Sequence, residues 1–163
     1  MFPQFYSSSD SLRLHTDASL FGIGAVCGVE WFSTPLPPRA CAHHINVLEL
    51  LAMVAAVFVW GGSWRNGTIL LHTDNEAVAV VWETGRSRDP AMMKLLRELF
   101  FFCAARNLHL IVRHIPGREN NLADALSRLQ VSRFRLLLPT AAIFPMSIPD
   151  NVWKILFGDD SSC

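Results

Sequence analysis

The sequence has little of what marks disulfide-stabilised, membrane or disordered proteins. Its four cysteines are widely spaced and form no C-x-x-C pair, so neither a disulfide framework nor a zinc ribbon is expected, and reduced thiols favour a cytoplasmic or nuclear setting. The longest apolar run, residues 50–60, is well short of the roughly 20 residues that a membrane-spanning helix needs. The first residues lack the basic and apolar regions of a secretory signal. With 17% charged and 51% apolar residues, the chain of 163 residues is expected to form one globular domain with a core.

Lysine is scarce, and 12 of the 14 basic residues are arginine. The formal net charge is zero, but this total counts four carboxylates that are candidate metal ligands. If the four carboxylates discussed below bind metal ions, residues 1–130 carry 11 basic and only 7 other acidic side chains. Because the planar guanidinium group suits phosphate, this composition is compatible with a nucleic-acid partner.

Hydrophobic patterning predicts nine elements in the order β-β-β-α-β-α-α-β-α. The predicted strands are 12–16, 21–27, 29–33, 68–73 and 109–114, and the predicted helices are 46–60, 75–83, 90–106 and 121–129. Residues 1–11 are assigned to an N-terminal arm and residues 12–129 to the domain. Residues 130–163, with three prolines and no periodicity, are assigned to a C-terminal tail or linker whose Trp153 and Phe157 are available to dock on the domain.

The tripeptide His-Thr-Asp occurs twice and closes a predicted strand each time, at Asp17 and Asp74. If those strands are parallel neighbours, about 4.8 Å apart, both carboxylates lie at the same edge of the sheet. Such a pair repels unless a hard divalent cation such as Mg²⁺ binds to it. Glu49 interrupts the most apolar helix, and Asp124 lies in the first turns of the last helix. Together the four acids predict a metal site.

Each of these acids also has a purely structural explanation. Asp17 could close an Asx turn, and Asp74 could cap the helix that follows. Glu49 has nearly capping-box spacing from Asn46, and Asp124 could support the start of its helix. The placement of all four acids in one order of elements is what favours the metal site.

Four blocks of sequence carry a resemblance to a known family. They are Thr-Asp-Ala-Ser with Gly-Ile-Gly-Ala-Val (16–19 and 22–26), Asn-Val-Leu-Glu-Leu-Leu-Ala (46–52), Thr-Asp-Asn (73–75) and HIPGRENNLADALSR (114–128). Over residues 12–129 the chain resembles the ribonuclease H domain of retroelement reverse transcriptases. The last block, P-G-x-x-N-x-x-A-D-x-L-S-R, is the most specific and is similar to gypsy-type elements, whereas I-N-x-L-E-L and T-D-N are closer to DIRS-like retrotransposons. The fold implied is α/β, with a five-stranded mixed sheet of strand order 3-2-1-4-5 flanked by helices.

The resemblance implies an endoribonuclease that cleaves the RNA strand of RNA/DNA hybrids with two Mg²⁺ ions, for which Mn²⁺ can substitute. Its metal ligands would be Asp17, Glu49, Asp74 and Asp124, holding ions about 3.5–4 Å apart around an in-line displacement. His114, ten residues before Asp124, has the spacing of the family's auxiliary histidine, which assists proton transfer or product release. The alternative for His114 is a strand-end histidine that is bonded to a backbone carbonyl.

Six polar residues are candidates for binding the hybrid. Hydroxyl and amide groups near the acids suit the 2′-OH of RNA, and arginines suit phosphates. These residues are Ser19, Asn75, Asn120, Arg86, Arg88 and Arg118. His15 and His72, each two residues before an aspartate, suggest a zinc site, but packing beneath the acids is the favoured interpretation.

Three functions are compatible with these features. The leading one is cleavage of RNA/DNA hybrids during reverse transcription, with an upstream reverse transcriptase polymerase domain in the same polyprotein and no membrane association. The second is a catalytically inactive RNase H-like structural or binding module of such a polyprotein. The third is another two-metal nuclease of the superfamily, such as an integrase or a 3′–5′ exonuclease, which would lack the P-G-x-x-N-x-x-A-D block.

Overall fold

A computed structural model describes residues 11–158 of the protein. The N-terminal arm predicted for residues 1–11 lies outside the described residues except for Ser11, which begins the first strand, and so does the acidic end at Asp159 and Asp160. None of the helices in the described range is long and apolar enough to cross a membrane.

Five strands form a single mixed sheet. They are β1 (Ser11–Ala18), β2 (Gly22–Cys27), β3 (Glu30–Pro35), β4 (Thr68–Thr73) and β5 (His109–His114). Their order, β3-β2-β1-β4-β5, confirms the order that the family resemblance predicted. Strands β1 to β3 are antiparallel, and β1, β4 and β5 are parallel. The parallel pairing brings the carboxyl ends of β1 and β4 to the same edge.

Helices pack on both faces of the sheet. They are α1 (Ile45–Gly61), α2 (Glu76–Thr84), α3 (Pro90–Ala105) and α4 (Asn121–Ser127), followed by α5 (Val131–Leu137) and α6 (Asp150–Phe157). Ile23 and Ala25 of β2 pack in the main core with α1 and α3, whereas Val26 packs in a second cluster with Leu126 of α4. Since successive strand residues point to opposite faces, the two clusters lie on opposite sides of the sheet.

A glycine in β2 lets α4 approach the sheet closely. Gly24 pairs with Asp17 in the β1–β2 ladder. A Cβ atom at Gly24 would collide with Leu126 and would lie 2.5 Å from the backbone nitrogen of Ser127. Only glycine leaves this space, which is the usual reason for a glycine within a strand where another backbone comes near. The close contact brings Ser127 beside the carboxylate of Asp17.

Residues 130–158 pass around the outer edge of β3, from one face of the sheet to the other. Phe134 of α5 is fully buried and packs on Trp31, with ring centroids 5.3 Å apart. The backbone N–H groups of Ala142 and Met146 donate to the carbonyl oxygens of residues 29 and 31 at 2.8 and 2.7 Å. Beyond this edge, Val152 of α6 is fully buried in the main core.

This segment was expected to be a tail or linker that docks Trp153 and Phe157. Both side chains are half-buried and pack against the main core. The helices α5 and α6 were not predicted. The domain boundary at residue 129 stays a prediction, and the segment beyond it contributes buried side chains to both clusters.

Candidate metal centre

Three of the predicted carboxylates converge at the carboxyl ends of β1 and β4. Asp17 lies near the end of β1, Asp74 directly follows β4, and Glu49 reaches them from the second turn of α1. One oxygen from each lies within 4.8 Å of the others. Among residues 11–158, this acid group is the only set of three or more histidine, cysteine, aspartate or glutamate side chains close enough to share a metal ion.

Neighbouring side chains take the capping roles that could have occupied two of these acids. Asn75, not Asp74, caps α2: its Oδ1 accepts the N–H of the third helix residue at 3.0 Å. His44 caps α1 through Nδ1, which accepts the N–H two residues further on at 3.0 Å. The structural alternatives for Asp74 and Glu49 are therefore wrong, and both carboxylates are left for the acid group.

The structural alternative for Asp17 was closure of the turn after β1, and Ser19 has this role instead. The hydroxyl oxygen of Ser19 accepts the backbone N–H groups of Phe21 and Gly22 at 3.0 and 3.3 Å. Its own proton is donated to the carbonyl oxygen of Ser127 at 2.7 Å. Ser19 therefore ties the β1–β2 turn to the end of α4, and its predicted contact with substrate stays a prediction.

Burial and mutual repulsion make it unfavourable to ionise the carboxyls of the acid group when no cation is bound. Burial, followed by the charges of Asp17 and Asp74, raises the pKa of Glu49 to about 9. Burial is also the largest cause that raises the pKa of Asp17, to about 7; the charges of Asp74 and Asp124 add to it, and a hydrogen bond from Ser127 opposes it. Metal-free protein at neutral pH therefore holds protons in this group that an unfolded chain would release.

The acid group has the properties that a hard divalent cation requires. All its donors are carboxylate oxygens, the ligands that Mg²⁺ and Mn²⁺ prefer. Glu49 Oε2 is buried and has no hydrogen-bond partner among the described residues. A cation would supply the missing partner of this oxygen and would offset the burial and the repulsion that raise the pKa values of Asp17 and Glu49. The residues present therefore fit a divalent metal ion.

Asp124, the fourth predicted ligand, is not part of the acid group. Its Oδ1 accepts from Arg128 Nε at 2.9 Å and its Oδ2 from Arg133 Nη1 at 3.0 Å. Partial burial raises the pKa of Asp124, but the hydrogen bonds and charges of the two arginines outweigh burial and lower this pKa overall. Asp124 as a metal ligand stays a prediction, and neither arginine was assigned a role from the sequence. Arg128 is the last residue of the most specific sequence block, and this position could have pointed to a role for it. Arg133 lies beyond the block, where the sequence offered no such signal.

Hydrogen bonds from α4 and the turn before it hold β1 in place beside the acid group. Ser127 Oγ lies 2.5 Å from Asp17 Oδ2 and 3.0 Å from the carbonyl oxygen of Asp124. The Asn120 amide is buried and donates to the carbonyl oxygen of Thr16 at 2.9 Å. Asn120 thus joins α4 to β1, and its predicted contact with substrate stays a prediction. Ser127 was quoted only as part of a sequence block, and sequence reasoning missed its contact with Asp17.

The other predicted substrate-binding residues lie around the acid group or at a distance from it. Asn75 caps α2 and donates its amide to Asn46 Oδ1 at 2.8 Å. Arg118 is exposed in the short turn after Gly117, at which a Cβ would lie 3.5 Å from Asp74 Oδ2. Arg86 and Arg88 are exposed in the loop after α2, about 13 Å along the helix from Asp74.

His114 ends β5 and pairs with Thr73, the residue before Asp74. Its side chain is exposed, and no hydrogen bond to it is found among the described residues. The structural alternative, in which a backbone carbonyl engages the imidazole, is therefore not observed. The auxiliary catalytic role stays a prediction.

His15 and His72 stack on each other across β1 and β4, with ring centroids 4.5 Å apart and planes 14° apart. Neither belongs to the acid group. Burial, then the neighbouring charges of His72 and Arg13, lowers the pKa of His15. Both rings are half-buried, and each histidine lies two residues before an aspartate of the acid group. This position agrees with packing beneath the acids.

Comparisons with known proteins place the fold. The sequence matches no family model and no curated protein. An RNase H1 isolated from compost, LC11-RNase H1, has a TM-score of 0.61 at 18% identity, over 76% of this chain and 96% of that chain. RNase H1 from the halophilic archaeon Halobacterium salinarum has a TM-score of 0.59 at 16% identity, over 76% and 99% of the two chains.

A third matching structure is the foamy viral protease-reverse transcriptase in complex with an RNA/DNA hybrid. Its TM-score is 0.52 at 16% identity, over 80% of this chain and 21% of that chain. LC11-RNase H1 has also been solved in complex with an RNA/DNA hybrid, and that structure matches with a TM-score of 0.61. These likenesses show that the chain has the RNase H fold.

Proposed function

We propose that this protein is a metal-dependent endoribonuclease that cleaves the RNA strand of RNA/DNA hybrids as part of a retroelement reverse transcriptase. The observation that carries the proposal is the convergence of Asp17, Glu49 and Asp74 at one edge of an RNase H fold. Two of the matching structures contain an RNA/DNA hybrid, and one of them belongs to a viral protease-reverse transcriptase. The gypsy-like block at residues 114–128 supports the retroelement context, with an upstream polymerase domain as the partner.

In this proposal the acid group holds two Mg²⁺ or Mn²⁺ ions, with Asp124 as the fourth ligand. When bound, the ions supply charge neutralisation at the scissile phosphate and a water of lowered pKa for in-line attack. The protein fixes the ligands: adjacent parallel strands hold Asp17 and Asp74 side by side, and Ser127 donates to Asp17 Oδ2 and so sets the orientation of that carboxylate. The buried position of Glu49 keeps bulk water away from its oxygens.

The exposed His114 ends β5 and pairs with the residue before Asp74, and in this proposal its imidazole accepts a proton from the attacking water or delivers one to the departing 3′ oxygen. In this proposal hydroxyl, amide and guanidinium groups hold the hybrid, some of them near the acid group and two of them beyond the far end of α2. The residues proposed for this role are Ser19, Asn75, Asn120, Arg86, Arg88 and Arg118.

A second candidate function is an inactive RNase H-like module that binds nucleic acid or supports a polyprotein. The observation that favours it is the engagement of both Asp124 oxygens by arginines. Within residues 11–158, the exposed His114 has no hydrogen bond and a buried oxygen of Glu49 has no partner, and both observations favour the enzyme instead.

A single assay separates the candidates. Purified protein is incubated with end-labelled RNA/DNA hybrid, RNA duplex and DNA duplex, each with Mg²⁺, Mn²⁺ or EDTA, and both binding and cleavage are measured. We expect RNA fragments from the hybrid only, in Mg²⁺ only. Binding without cleavage, in Mg²⁺ and in Mn²⁺, would identify the inactive module, and cleavage of the DNA duplex would identify another nuclease of the superfamily.

A further inference from the structure

Both carboxylate oxygens of Asp124 are engaged by arginines from two different parts of the chain. Arg128 lies one turn further along, at the end of α4, and Arg133 belongs to α5. Arg133 Nη1 also donates to Gln130 Oε1 at 3.0 Å, which orients its guanidinium toward Asp124. We call Asp124, Arg128 and Arg133 the Asp124 clasp.

The clasp holds the side chain of Asp124, while other contacts hold its backbone beside the acid group. Ser127 Oγ lies within hydrogen-bond distance of both Asp17 Oδ2 and the carbonyl oxygen of Asp124. The backbone N–H of Asp124 donates to the carbonyl oxygen of Asn120, whose amide is tied to β1. These contacts keep the backbone of Asp124 near β1 while its side chain is turned to the arginines.

The arginines weaken Asp124 as a ligand for a cation. A carboxylate that accepts charged hydrogen bonds on both oxygens has less negative charge to offer, and the guanidinium charges repel a divalent cation. The side chains of Arg128 and Arg133 are 50% and 45% exposed, so solvent screens both ion pairs and competing anions can reach them. Guanidinium groups bind phosphate through paired hydrogen bonds, and the phosphodiester backbone of a nucleic acid supplies many such anions.

We propose that the clasp withholds Asp124 from the metal centre in the free protein and releases it when nucleic-acid phosphates engage Arg128 and Arg133. The inference rests on the proposed function, because it assumes that the acid group binds divalent cations. It makes Arg133 a positioning residue that couples substrate binding to completion of the metal site. It also gives α5, which lies outside the predicted domain 12–129, a part in that site.

The test measures Mn²⁺ binding to the full chain by calorimetry, without nucleic acid. Arg133→Gln removes one guanidinium from the clasp, and we expect it to tighten Mn²⁺ binding about two- to fivefold. The matched control is Arg65→Gln, which removes the same charge from the loop between α1 and β4, at the opposite end of β4 from Asp74. We expect this control to leave Mn²⁺ affinity unchanged and Arg133→Lys, which keeps the charge, to stay close to the wild type.

A double-mutant cycle with Asp124→Asn separates release of Asp124 from a general effect of charge. We expect Arg133→Gln to tighten Mn²⁺ binding much less in the Asp124→Asn background, where only the loss of a repelling guanidinium charge remains. An unchanged or weaker affinity in Arg133→Gln alone, or the same gain in both backgrounds, overturns the clasp while leaving the metal centre intact. Absence of Mn²⁺ binding in every variant, wild type included, would instead refute the metal centre on which the proposed function depends, and the clasp with it.

Discussion

Asp74 and Asn75 are adjacent at the end of β4, yet they serve different purposes. Asn75 caps α2 through Oδ1, and Asp74 points its charge at the acid group. Sequence could predict that one of them caps the helix, because both residue types are good caps, but not which one. At Asp124 the sequence was less informative still, since Arg133 comes from a segment with no recognisable pattern. The three members of the acid group were therefore predictable from the sequence, and the arginines that engage Asp124 were not.

Removing one charge from the acid group has opposite effects on cleavage activity and on the stability of the metal-free protein. We expect Asp17→Asn to abolish hybrid cleavage and to raise the free energy of unfolding of the metal-free protein at pH 8 by about 1–2 kcal/mol. Asparagine keeps the shape and can still accept from Ser127, while one of the repelling charges is lost. Cleavage of labelled hybrid and urea unfolding in EDTA measure the two effects.

The control for this variant is Asp150→Asn, which changes an exposed carboxylate on α6. It should leave cleavage unchanged and shift the free energy of unfolding by less than about 0.5 kcal/mol. Full activity in Asp17→Asn would remove that residue from the metal centre.

The histidine at the end of β5 is expected to speed the reaction without being indispensable. We expect His114→Ala to lower kcat about a hundredfold and to leave KM for the hybrid little changed, because proton transfer to and from water continues without it. His109→Ala is the matched control, since His109 is exposed at the opposite end of the same strand. A kcat equal to that of the control would show that His114 is a surface residue without a catalytic role.

At the level of elements, local signals decided what could be predicted. The bounds of β4 and β5 agree with the prediction, and α3 begins at Pro90, capped by Asp89 as expected. By contrast α5 and α6 have seven and eight residues, and each has one fully buried side chain. Helices this short depend on tertiary contacts rather than on their own periodicity, and α5 and α6 lie outside the sequence blocks that marked α4, which is equally short.

The contribution of α5 can be measured with two substitutions in the same helix. Phe134 is fully buried, whereas Leu136 is 83% exposed. We expect Phe134→Ala to lower the free energy of unfolding by about 3–5 kcal/mol, because it leaves a cavity against Trp31. Leu136→Ala should change it by less than about 0.5 kcal/mol. Equal effects in chemical denaturation would mean that residues 12–129 fold independently of α5.

For the molecule as a whole, the acid group links stability to pH and to metal. The pKa of Asp17 rises from 3.8 to about 7 on folding, and that of Glu49 from 4.5 to about 9. Between these limits the folded state binds more protons than the unfolded state, so this contribution to stability is present at low pH and is lost as pH rises. A divalent cation stabilises the ionised carboxylates against burial and mutual repulsion, and so offsets this loss.

We therefore expect Mg²⁺ to raise the melting temperature more at pH 8 than at pH 5, where Asp17 and Glu49 are largely protonated. Thermal unfolding at both pH values, with Mg²⁺ or EDTA, measures the difference. In Asp17→Asn the difference should shrink, because one of the two titrating groups is gone. A Mg²⁺ effect that is the same at pH 5 and pH 8 would contradict a cation site in the acid group.

The strap formed by residues 142–146 has a consequence for self-association. An outer strand with open hydrogen-bonding groups is a template on which another chain can add a strand, and aggregation often starts there. In this protein the strap occupies the carbonyl groups of residues 29 and 31 at one edge of the sheet. At the other edge, exposed Arg113 and His109 of β5 disfavour pairing with another strand. A version of the protein ending at residue 129 would bare the first of these edges together with Trp31. Such a shortened protein should form oligomers and precipitate at concentrations where the intact chain stays monodisperse.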